Sequence, residues 1–70
     1  MPKKQPLKFK VDVEFEGKVY SAVYVVSSGT ITVKAEYGSL TTHGGGPNVK
    51  FMARQLLREI LEGAKSRGEL

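Results

Sequence analysis

The hydrophobic pattern of this chain changes period once, at Pro47, and that change constrains the fold more than any other feature. From Leu7 to Tyr37 apolar and polar residues alternate, which is the two-residue period of a half-buried strand. From Val49 to Ala64 the apolar residues recur at helical spacing. The pattern predicts an α+β fold, an antiparallel meander of three or four strands followed by one C-terminal amphipathic helix packed on one sheet face.

The strand registers can be read from the turns. Leu7, Phe9, Val11, Val13 and Phe15 share one face of the first strand, and Lys8, Lys10, Asp12, Glu14 and Glu16 share the other. With Glu16-Gly17 as a two-residue loop, Val13 faces Tyr20, Val11 faces Ala22 and Phe9 faces Tyr24. With Ser28-Gly29 as the next loop, Val26 faces Ile31, Tyr24 faces Val33, Ala22 faces Ala35 and Tyr20 faces Tyr37. Both turns leave the same face apolar, and a slip of one residue would turn a strand's inward set outward. A turn at Gly38-Ser39 would put Leu40 and Thr42 of a short fourth strand on the core face. The expected core is Val11, Val13, Ala22, Tyr24, Val33, Leu56, Leu57 and Ile60.

The helical stripe is Val49, Met52, Ala53, Leu56, Leu57, Ile60, Leu61 and Ala64. Asn48 is the expected N-cap, its side chain accepting a backbone N–H; the alternative is Gly46 as cap with Pro47 as the first helical residue. Gly63 is the expected helix stop. These bounds give a single domain over residues 1–70, ordered from about residue 7 to residue 63, with both termini mobile.

Seventy residues bury only about 60% of their unfolded surface, so a second stabilising device is expected. The absence of cysteine excludes disulfides and thiolate zinc, and one histidine argues against a His-based metal site within one chain. A homodimer is the remaining device. No stretch reaches a membrane span of about 18 apolar residues. Met1 to Lys10 lacks the apolar run of a signal peptide, so the expected location is cytoplasmic. Eleven basic residues against seven acidic give a net charge of +4, compatible with a nucleic-acid partner and equally with ordinary solubility.

No catalytic motif stands out, and neither enzyme activity nor a metal or cofactor is expected. His43-Gly44-Gly45-Gly46 spells a string found in esterase oxyanion holes, but the nucleophile elbow that must accompany it is missing. His43 as a general base lacks an orienting carboxylate beside it. The same glycines precede a helix start, where free N–H groups favour an anion, and His43, Gly45, Gly46 and Lys50 are candidates to hold one. Phe51 lies about 160–200° from the centre of the apolar stripe, among Lys50, Arg54 and Arg58. An aromatic in such company can stack on bases or anchor a protein interface; the bland alternative is a ring tucked under the glycine loop. On the outer sheet face, Val19, Val23 and Val25 are flanked by Lys8, Lys10 and Lys34. The valines are interface candidates, unless the lysine stems cover them, and the lysines are phosphate-binding candidates.

Tyr37-Gly38-Ser39, the pair Gly44-Gly45, Ala53 and Leu56-Leu57-Arg58-Glu59 together resemble short uncharacterised bacterial proteins over roughly the last half of the chain. That resemblance implies no activity and assigns no site. In element order alone, strands followed by one C-terminal helix are similar to PUR repeats, Whirly proteins and dimeric single-stranded-DNA-binding coactivators, and a shared fold does not imply a shared function. The function expected is a small non-enzymatic binding module that takes nucleic acid through its basic residues. The alternative is a protein-interaction or structural homodimer module.

Overall fold

A computed structural model describes residues 7–27, 29–44 and 48–70. Four strands, β1 (Leu7–Phe15), β2 (Lys18–Ser27), β3 (Thr30–Ala35) and β4 (Gly38–His43), form one antiparallel sheet in the order β1-β2-β3-β4. The helix α1 (Val49–Ser66) follows and packs on one face, against β1, β3 and β4. Among the described residues no helix is long and apolar enough to cross a membrane. The expected mobility of Met1 to Pro6 lies outside the described residues.

The first hairpin has the register that the alternation predicts, from Leu7 opposite Val26 to Phe15 opposite Lys18. Its loop takes φ 54° at Glu16 and 83° at Gly17, the left-handed pair that matches the twist of the flanking strands. In the second hairpin Val26 faces Ile31 and Tyr24 faces Val33, but the ladder ends at Val23–Lys34. Ala22–Ala35 and Tyr20–Tyr37 are therefore not strand pairs. Tyr20 and Tyr37 still meet as rings, edge-on, with centroids 6.2 Å apart.

The third turn departs from expectation. Ala35 pairs with Gly38 and Val33 with Leu40, so the loop is Glu36-Tyr37 and not Gly38-Ser39. Gly38 is instead the first residue of β4, at φ 150°, a conformation that residues with a Cβ rarely adopt. Leu40 and Thr42 remain on the core side and are half-buried.

Every residue of the expected core is buried, and Ile31, Ala53, Leu61 and Ala64 join them. Phe9 shares the face of this core but is 44% exposed, with its ring stacked on Tyr24 at 5.2 Å. Ala64 explains why the helix runs past Gly63. It continues the apolar stripe and is fully buried, so packing carries the helix another turn. The stop is Gly68, at φ 77°. Gly68 donates its N–H to the Lys65 carbonyl at 3.0 Å, and Glu69 donates to the Ala64 carbonyl at 2.8 Å. These two bonds form a Schellman cap. Through them the backbone of Gly68 and Glu69 bonds back onto the helix end.

At the other end Asn48 is the N-cap residue, but its side chain makes no capping bond. Its carbonyl accepts the N–H of Met52 at 3.0 Å. The alternative cap, Gly46 with Pro47, lies outside the described residues.

Candidate nucleic-acid interface

Burial of Ala53, Leu56, Leu57, Ile60, Leu61 and Ala64 fixes the rotation of α1. Residues on the opposite side must then face outward, and Phe51, Arg54, Gln55 and Arg58 recur there at i, i+3, i+4 and i+7. They line one shallow hollow of about 230 Å³. Phe51 is 61% exposed, so its ring is an outer surface, and most of the glycine loop, the alternative cover, lies outside the described residues. Lys50 is exposed one turn before Arg54 and extends the positive flank, and the first turn holds no acidic residue.

This arrangement offers three kinds of contact. The ring face can stack on a base, two guanidinium groups can reach phosphates, and the Gln55 amide can donate to or accept from a base edge. A second hollow, between β4 and the helix, is lined by Thr42, Met52, Gln55, Leu56 and Glu59. Glu59 brings a carboxylate there, which suits a polyanion less well.

The other basic candidates lie elsewhere. Lys8, Lys10 and Lys34 are exposed on the sheet face that points away from α1. Val19, at 70% exposure, and Val23, at 40%, share that face, whereas Val25 is half-buried. Among the described residues the face carries no Phe, Tyr or Trp, and its one ring is the His43 imidazole at the β4 edge. The six basic candidates on strands and helix therefore split into two groups of three, separated by the hydrophobic core, and no single strand of nucleic acid lying straight can touch both.

His43 closes β4 opposite Thr30 and is exposed. Gly44 follows it and donates its N–H to the Gly29 carbonyl at 2.9 Å. Gly45 and Gly46, the anion-cradle candidates, lie outside the described residues. Among the described residues no three His, Cys, Asp or Glu side chains cluster as metal ligands would.

Sequence reasoning missed the corner at the helix end. Arg67 Nη2 donates to the Tyr37 carbonyl at 3.2 Å, and its guanidinium pairs with Glu69 at 3.1 Å. Gly63 leaves room beside it, since a Cβ there would sit 3.2 Å from Arg67 Nη1 and press the guanidinium aside by a few tenths of an ångström. The hydrogen bond from Arg67 holds the Glu69 carboxyl below its usual range and raises the guanidinium in turn. Partial burial, with help from nearby Glu36, pushes the Tyr37 phenol up. The signal was present as Ala64, an apolar residue that stays in phase beyond the supposed stop. Nearby, Lys65 pairs with Glu16, tying the helix end to the first hairpin.

Comparison with protein-family models, with curated proteins and with solved structures finds no match to this chain.

Proposed function

We propose that this chain is a non-enzymatic module that binds single-stranded nucleic acid on the outward face of α1. One observation carries the reading: a largely exposed phenylalanine framed by two arginines and an amide around one hollow. Exposing a phenyl ring forgoes apolar burial, and a base is a partner whose π-face covers the ring while its phosphates meet the arginines. Recognition of this kind tolerates sequence, because every base has a face to stack and phosphates carry no sequence information.

The test is a titration of labelled thymidine oligonucleotides at low and physiological salt. Affinity falls with salt along a log–log slope of about −0.7 per phosphate contacted. Arg54→Ala lowers that slope by about one contact. Phe51→Ala weakens binding by about 1–3 kcal/mol. Absence of binding at low salt refutes the reading. A second reading then takes its place, in which the exposed Val19 and Val23 bury against a protein partner or a second copy. In that case Val23→Lys converts a dimer to a monomer in sedimentation.

A further inference from the structure

The outer sheet face has a charge arrangement of its own. The register aligns Lys8, Val25, Thr32 and Thr41 in one cross-strand row, and Lys10, Val23, Lys34 and Ser39 in the next. Lys10 and Lys34 therefore flank Val23 two strand spacings apart, about 10 Å, and Lys8 lies two residues from Lys10, about 7 Å. Among the described residues none of the three pairs with a carboxylate. The threonine hydroxyls of the first row bond each other at 2.9 Å. Carboxylates enter this face only in the rows nearer the first turn, as Asp12, which accepts from Ser21 at 2.6 Å, and Glu14.

Three lysines rooted this close on one sheet face repel one another, and a bound polyanion relieves that repulsion. The face carries hydroxyls and ammonium groups, with the His43 imidazole at its β4 edge as its one ring among the described residues, so the contacts of the three lysines are to phosphates, independent of base. It lies on the opposite side of the core from the Phe51 hollow. A strand seated on one face leaves the other open.

We infer that one copy of this chain bridges two nucleic-acid segments, one stacked on the α1 face and one held by its phosphates on Lys8, Lys10 and Lys34. The inference rests on the α1 reading above and adds a second, independent surface. The split of basic residues across two faces, which a single-strand binder has no use for, is what a bridging module requires.

The experiment uses the full chain on a biotinylated thymidine oligonucleotide immobilised on beads. After washing, a fluorescent thymidine oligonucleotide is added and its retention is read. The unmodified chain retains the second strand, and retention declines with salt. Two variants separate the faces: Lys8→Gln/Lys10→Gln/Lys34→Gln and Arg54→Gln/Arg58→Gln. All five positions are exposed, so both variants fold, and far-UV circular dichroism checks this. Each variant still binds the immobilised strand, and in each the retained second strand falls about tenfold or more. Binding of the first strand without retention of the second overturns bridging and leaves the α1 reading standing. Retention that survives in either variant also overturns it, because one face repeated in a dimer then suffices. No binding of the first strand ends both readings.

Discussion

Replacing Gly44 with alanine tests how closely the helix start is pressed onto the sheet. A Cβ at this position would lie 2.9 Å from Met52 Sδ, closer still to Met52 Cε, and 3.4 Å from Ile31 Cδ1. Gly44 is not in the left-handed region, so the backbone accepts alanine and the whole cost is steric. Overpacking costs about 1–3 kcal/mol, and the thioether can swing aside, which places Gly44→Ala near 1 kcal/mol. Trimming the obstacle reverses the sign. With Met52→Ala already present, alanine at 44 fits, and its smaller unfolded-state entropy stabilises by about 0.4–1 kcal/mol. The two changes thus couple by about 1–2 kcal/mol, within the range seen for residues in contact. A chain of this length has roughly 4–10 kcal/mol of stability in all, so urea unfolding followed at the helix circular dichroism band resolves the difference. If Gly44→Ala costs the same with and without Met52, the close approach is not what the glycine serves.

Leu57 is fully buried at the centre of the helix stripe, and Leu57→Ala costs about 2–5 kcal/mol, a large share of the total stability that the same assay reads as a much lower urea midpoint. Glu69→Gln lowers the melting temperature at neutral pH, because a carboxyl depressed by Arg67 stabilises the fold above its ordinary range. That contribution disappears as pH falls through the folded-state value, so the melting curves of variant and parent converge in acid.

Strand identity and the first two loops were legible because alternation and glycine agree there. Gly17 and Gly29, both at positive φ, sit where a two-residue turn needs them. The third loop misled because Gly38 serves the start of a strand, while Glu36-Tyr37 turn without any glycine. Tyr37 is held by its ring contact with Tyr20 and by the Arg67 bond to its carbonyl, long-range terms with no local signature. The helix end misled for a related reason: of two glycines near it, packing of Ala64 decides which one stops the helix. At the site, helical phase alone grouped Phe51 with Arg54 and Arg58. That the strand lysines are on the opposite surface follows once the helix is known to cover the odd-numbered face of β1, which alternation identifies but charge counting does not.

The helix touches both the first and the last strand of the sheet, and this has a consequence for local opening. Edge strands ordinarily fray and exchange their amide hydrogens through small, cheap fluctuations. Here neither edge can peel without uncovering a helix whose stripe holds the core, and Lys65 and Arg67 tie the far helix end to the first and third turns. Amides of β1 and β4 that bond their neighbours should then exchange at the rate set by unfolding of the whole chain, and the domain behaves as one cooperative unit down to its margins.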